Sequence, residues 1–154
     1  MSEFFRVNVR VHWADTDAAG IVWFGNFLRF FEEAEDEMFR ALGRTRLELI
    51  RDFGILMPRI EAHCRFKSPA RAEEVLEVGI AVQEMTERRI AYLFEARERD
   101  TQRPVCEGSY RVACVSADTF KPREFPPALR TLVGRLPSVI AEQASPRRHA
   151  AGWT

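Results

Sequence analysis

From Phe5 to Trp13 apolar and polar residues alternate, with Phe5, Val7, Val9, Val11 and Trp13 set against Arg6, Asn8, Arg10 and His12. A period of two predicts a strand with one buried face, and His12 falls on its polar side. Residues 15–20 break the pattern, because Asp, Thr, Ala and Gly are loop formers. A period near 3.6 then takes over. Phe27, Phe30, Phe31, Ala34, Met38, Ala41 and Leu42 share one helical face, while Arg29, Glu32, Glu33, Asp36, Glu37 and Arg40 take the other. The helix is predicted to start between Val22 and Phe27, with Asn26 or an earlier residue as its cap, and to end at Gly43. About 17 residues at ~1.5 Å each give it a length of roughly 25 Å. Its aromatic stripe reads as core, and the acidic run over residues 32–37 reads as a solvated face.

Thr45 and Glu48 have the spacing of a capping box, which predicts a short second helix over residues 46–53, closed by Gly54. Four strands are predicted after it. They are marked by Ile60, Ala62, Cys64 and Phe66, by Leu76, Val78, Ile80 and Val82, by Ile90, Tyr92, Phe94 and Ala96, and by residues 105–115. His63 again lies on a polar side. The last three strands are joined by short turns, so an antiparallel meander is expected. Leu129, Leu132, Val133 and Leu136 space as a last short helix, which Val139 and Ile140 could extend past Pro137. Residues 1–142 read as one domain, and residues 143–154 as a disordered tail. One helix cannot cover both faces of a five-stranded sheet. The sheet is expected to curl around it, and the uncovered face or edge to be closed by a further copy of the chain.

Composition narrows the function classes. The 154 residues carry 23 basic and 23 acidic side chains, so no net field draws nucleic acid or an anionic membrane surface, and any anion site must be local. Three cysteines without a closely spaced pair argue against a disulfide framework or a zinc site and for a reducing compartment. The first residues hold no apolar block of signal-peptide length, and no run is long enough to span a bilayer. A soluble cytoplasmic protein is expected.

The chemistry-bearing stretch is residues 12–43. Two carboxylates, Asp15 and Asp17, sit in a tight loop that runs into a helix N-terminus, where unpaired N–H groups and a partial positive charge are available. Gly20 allows a close backbone approach to a ligand. Residues 13–34, WADTDAAGIVWFGNFLRFFEEA, resemble the opening motif of the hotdog-fold acyl-CoA thioesterases, in the branch that includes 4-hydroxybenzoyl-CoA thioesterase. The shared pattern is an Asp-x-Asp pair, a glycine three residues on, an apolar pair, an aromatic residue and an aromatic-rich helix. Phe66-Lys67-Ser68-Pro69-Ala70 is similar to the family's second landmark, and the resemblance spans about residues 5–116.

That resemblance implies an α+β hotdog fold, a curved antiparallel five-stranded sheet wrapped around one long helix. It implies a homodimer, often paired again into a homotetramer, with sites between subunits and CoA along the surface. The implied activity is hydrolysis of an acyl-CoA thioester without a metal, coenzyme A being part of the substrate and no cofactor being needed. Asp17, the second aspartate of the pair, is implied as the catalytic carboxylate, and the backbone N–H of Phe24 as the oxyanion donor.

The residues are suited to such chemistry. A thioester is already activated, and N–H donors aimed at a developing oxyanion are worth about 3–4 kcal/mol of barrier. Asp17 could attack directly or act as a general base on water, and both routes stay open. Asp15 reads as a cap or salt-bridge partner. Relatives often carry histidine or tyrosine where this chain has Phe24, which leaves that position a backbone role only. Trp23 and Phe24, with Trp13 and Phe27, lean the acyl pocket towards flat, aromatic or small groups. The phosphates of CoA call for basic residues, with Arg88 and Arg89 as one candidate pair and Lys67 and Arg71 as another. Two other readings of the same fold are a thioesterase acting on acyl-carrier protein and a non-catalytic acyl-CoA binding module.

Overall fold

The computed structural model describes residues 4–138. Five strands, β1 (Phe5–Arg10), β3 (Arg59–Phe66), β4 (Val75–Met85), β5 (Arg89–Glu98) and β6 (Pro104–Ala113), form one sheet in the order β1-β4-β5-β6-β3. Every neighbouring pair is antiparallel, and β4, β5 and β6 make the expected meander. The long helix α1 (Asn26–Ala41) lies across one face of the sheet and buries Phe27, Phe30, Phe31, Ala34 and Met38. Each buried phenylalanine contributes about 1.5–3 kcal/mol, so this stripe is the main driving force for docking. Phe31 stacks on Phe94 of β5 with ring centroids 4.5 Å apart. The missing side chain of Gly108 in β6 makes room, since a Cβ there would stand 2.6 Å from the Phe31 ring.

Helix α2 (Arg46–Phe53) begins with the predicted box, in which Thr45 Oγ1 accepts from the Glu48 N–H at 3.2 Å. It ends at Gly54, whose φ of 62° is in the left-handed region. A small second sheet joins β2 (Ile55–Leu56) to β7 (Val115–Ser116), two pieces too short to show a sequence period.

Several expectations are corrected by the packing. The first strand stops at Arg10, because the Asp15 carboxylate takes the His12 N–H at 2.8 Å and turns the chain. Trp13 therefore opens a 3-10 turn and is 85% exposed instead of buried. On α1 the buried stripe runs through Glu35 and Phe39, while Ala41 is exposed. The acidic run is thus not wholly a solvated face. Asn26 is the first helical residue, and Gly25 holds the cap position. Strand β3 is an edge strand, exposed along most of its length, with Ile60 and Phe66 open to solvent.

Helix α3 (Pro127–Val133) stops before Leu136, because the chain turns back to β4 and the Pro137 carbonyl accepts from the Val82 N–H at 2.8 Å. Val139, Ile140, the end of the expected domain and its tail lie outside the described residues. All three cysteines are free thiols, and Cys64 and Cys106, far apart in sequence, lie on the neighbouring strands β3 and β6. Among the described residues no helix is long and apolar enough to cross a membrane.

Candidate active site

The loop between β1 and α1 is a short hairpin held from both sides. Thr16 bridges Val22 in antiparallel fashion, and the Asp17 N–H donates to the Ile21 carbonyl at 2.9 Å. The turn is closed by Gly20, whose N–H reaches the Asp17 carbonyl at 2.9 Å and whose φ of +79° an L side chain would strain. Val22 anchors the returning arm to the Ala70 carbonyl at 2.8 Å, beside the start of β4. This pins the second sequence landmark, which ends at Ala70, against the first.

Asp17 is exposed at the tip of this hairpin. One carboxylate oxygen accepts from the Ala19 N–H at 2.9 Å, and the other has no partner among the described residues. Asp15 is buried and differently employed. Its carboxylate accepts from the His12 N–H at 2.8 Å and pairs with the Arg29 guanidinium on the first turn of α1. Its carbonyl accepts from the Trp23 N–H and from the Asn26 side-chain amide, both at 2.9 Å. The two aspartates are therefore unlike: Asp15 is consumed by the scaffold, and Asp17 presents a free oxygen.

The backbone reaches the helix through Trp23, Phe24 and Gly25. Among the described residues nothing accepts a hydrogen bond from the N–H of Phe24 or Gly25, as expected for donors just ahead of a helix. The Phe24 side chain is 63% exposed and Trp23 is 48% exposed. Their rings lie 5.1 Å apart, and Phe24 meets Phe66 of β3 edge-on at 6.3 Å, with Phe27 behind it 5.8 Å from Phe66. An aromatic surface thus joins the start of the helix to the edge strand.

The four basic candidates are scattered. Lys67 follows Phe66 directly and pairs with Glu107 at 3.8 Å. Arg71 is exposed near the same end. Arg88 and Arg89 lie at the turn between β4 and β5, where they line a cavity of about 330 Å³ with Thr86 and Arg111. Neither has an ion-pair partner among the described residues. Strand β4 separates that turn from the Asp17 loop, and its rise of ~3.3 Å per residue puts the two roughly 30 Å apart within one chain. His12 is exposed, His63 pairs with Glu61 at 2.6 Å, and among the described residues neither is hydrogen-bonded to Asp17. No group of three or more His, Cys, Asp and Glu side chains that could hold a metal ion occurs among the described residues.

Three contributors escaped the sequence reading. Helical spacing puts Arg29 on the polar face of α1 and gives Asn26 no role beyond a possible cap, yet both reach back to Asp15. Glu35, farther along α1, is 1% exposed and is met by Arg46 at 2.7 Å, by Arg59 at 3.5 Å and by the Tyr110 hydroxyl, which donates to it. Burial and the Glu35 carboxylate push the Tyr92 and Tyr110 hydroxyls well above the usual tyrosine value. A polar residue inside an apolar stripe is the one signal that could have flagged Glu35.

A sheet curled around one long helix, with a carboxylate hairpin at the helix start, is the hotdog architecture. Residues 11–133 match the thioesterase-like superfamily, and the chain belongs to that family. It is 40% identical over 75 residues to a 1,4-dihydroxy-2-naphthoyl-CoA hydrolase of Thermosynechococcus vestitus, covering 49% of this chain and 51% of that one. The chain thus spans about half the length of that relative. It is 31% identical over 122 residues to the acyl-CoA thioesterase YbgC of Haemophilus influenzae, covering 79% of this chain and 88% of that one. Among solved structures, a 1,4-dihydroxy-2-naphthoyl-CoA thioesterase from Synechocystis superposes with a TM-score of 0.79 at 22% identity, covering 86% of this chain and 97% of that one, which shows the shared fold.

Proposed function

We propose that this protein is an acyl-CoA thioesterase in which Asp17 attacks the thioester carbonyl or activates water for that attack, while the Phe24 N–H receives the developing oxyanion. The observation that carries the reading is the pairing of a free Asp17 carboxylate oxygen with unpaired N–H groups at Phe24 and Gly25, on the two arms of one hairpin. The thioester carbonyl carbon meets the carboxylate or its water, its oxygen meets the N–H, and the CoA sulfur leaves as a thiolate. Water completes the reaction, either as the attacking group or by hydrolysing the anhydride that direct attack by Asp17 forms.

The acyl group is an aromatic or other compact one. Trp23, Phe24 and Phe66 supply flat apolar surface at the mouth of the site, and the relatives named for a naphthoyl ester favour the same class. Gly20 and Trp23 border the substrate.

The working unit is a homodimer joined along β3. That edge is unpaired among the described residues and exposes Ile60 and Phe66, which is how sheet edges invite a partner. The Phe66 end of β3 lies beside the Asp17 loop, and its Arg59 end lies opposite Val112, next to the β4–β5 turn. A two-fold antiparallel pairing reverses the second strand. It sets the partner's Arg88 and the partner's Arg89 beside the first chain's Phe24, across the roughly 30 Å that separates them in one chain. Those arginines would then hold the CoA phosphates.

The test is a panel of purified CoA esters, including benzoyl-CoA, acetyl-CoA and palmitoyl-CoA, with release of free thiol followed for the wild type and Asp17→Asn. Turnover of the aromatic ester that is lost in Asp17→Asn supports the reading. Tight binding without turnover of any ester would turn it towards a binding module, and turnover confined to carrier-protein esters towards that donor.

A further inference from the structure

Beyond the two groups assigned to the reaction, the hairpin contains a clamp that no part of the mechanism uses. Besides the Asp17 N–H to Ile21 bond near its tip, the hairpin is held at its base, where the Phe24 arm approaches the Asp17 arm, by bonds that run through Asp15. Its carbonyl holds the Trp23 N–H, one residue before Phe24, and the Asn26 side-chain amide, two residues after it. Its carboxylate is held on one side by the His12 N–H and on the other by Arg29, whose guanidinium lies 4.9 Å over the Phe30 ring and 3.8 Å from Glu33. Asp15 is 6% exposed, and Asp17 follows two residues later. A buried carboxylate anchored to the helix therefore ties the base of both arms to the first turn of α1.

We infer that Asp15, Asn26 and Arg29 are positioning residues, which fix the span between the Asp17 carboxylate and the Phe24 N–H without touching the substrate. This rests on the thioesterase reading of Asp17 and Phe24. The expected effect is large because a displacement of about 1 Å costs on the order of 100-fold in rate, while the ion pair itself, half open to water at Arg29, contributes little to folding.

The experiment uses the full chain with Arg29→Gln, Arg29→Lys and Asn26→Ala. The measurements are steady-state kinetics on benzoyl-CoA, thermal unfolding, and amide hydrogen exchange at Trp23. Arg29→Gln and Asn26→Ala are expected to lower kcat by at least about tenfold with KM within about threefold. They should also speed exchange at Trp23, leave the unfolding midpoint within a few degrees, and differ from Arg29→Lys, which recovers most of kcat. Unchanged kcat overturns the inference even where exchange quickens. So does a loss of kcat that follows a collapse in thermal stability with Arg29→Lys no better than Arg29→Gln. If the wild type turns over no ester, the function reading has failed, and unchanged exchange at Trp23 in the variants would independently show that no clamp exists.

Discussion

The indole of Trp23 lies so close over Gly25 that a Cβ at that glycine would stand 2.3 Å from the ring. Gly25 has φ −65°, an ordinary helical value, so it is required for the approach of Trp23 and not for its backbone. Gly25→Ala should therefore leave the helix intact, with thermal stability lowered by about 1 kcal/mol, since its φ suits alanine although alanine is a poorer cap than glycine. The indole must swing away from the helix start, and kcat/KM for benzoyl-CoA should fall by about tenfold or more. Kinetics beside thermal unfolding checks this; full activity in Gly25→Ala would remove Trp23 from the site.

Asp17→Asn keeps the turn, because the amide oxygen can still accept from the Ala19 N–H, yet loses the nucleophile or base. A drop in kcat of roughly 10²–10⁴-fold at nearly unchanged stability is expected. Repeated turnover in ¹⁸O-water bears on the two routes: label in Asp17 requires a mixed anhydride opened by water at the Asp17 carbonyl, and so attack by the carboxylate, whereas general-base action never labels the enzyme.

Arg88→Ala and Arg89→Ala should each raise KM for a CoA ester by about tenfold, the loss of one charge-assisted contact to phosphate. Turnover of a short thioester of the same acyl group that lacks the nucleotide should not change. Equal effects on both substrates would remove these arginines from phosphate binding. In the proposed dimer these arginines act across the β3 edge, so Ala62→Pro, placed within that edge, should yield a monomer by sedimentation and lose activity together.

Stability should fall in alkali in a defined way. Burial holds the Tyr92 and Tyr110 hydroxyls above the usual value of 10.0, with the Glu35 carboxylate adding to it. Below about pH 10 both states keep these protons and the contribution is complete. Above it the unfolded chain releases protons that the folded chain retains, so stability drops by about 1.4 kcal/mol per pH unit per tyrosine until the raised folded values are passed. Tyr92→Phe should remove part of that slope at little cost at pH 7, since its buried hydroxyl has no hydrogen-bond partner among the described residues. Tyr110→Phe should cost about 1–3 kcal/mol at pH 7, because it withdraws a donor from buried Glu35. Thermal unfolding across pH 7–11 measures both.

Local pattern was enough to determine the order of the major elements, the meander, the capped α2 and the apolar stripe of α1, because periods of 2 and 3.6 report which residues share a face. The Asp-x-Asp hairpin before the helix was also legible, since turn residues and an aromatic helix start are neighbours in the chain. What local pattern could not decide was which aspartate is free. That depends on Arg29 and Asn26 reaching back across the hairpin, a contact between residues 11 and 14 positions apart that no short period encodes. Its place in the apolar stripe could flag Glu35 but not name what neutralises it, because its partners Arg46, Arg59 and Tyr110 come from three separate elements. The alternation in β3 looked like a buried face, yet burial depends on what lies beside a strand, and only the strand order put β3 at the edge. The tertiary structure alone also set Arg88 and Arg89 at the far end of the sheet from Asp17, because the length of β4 separates groups that a linear reading could assign to one pocket.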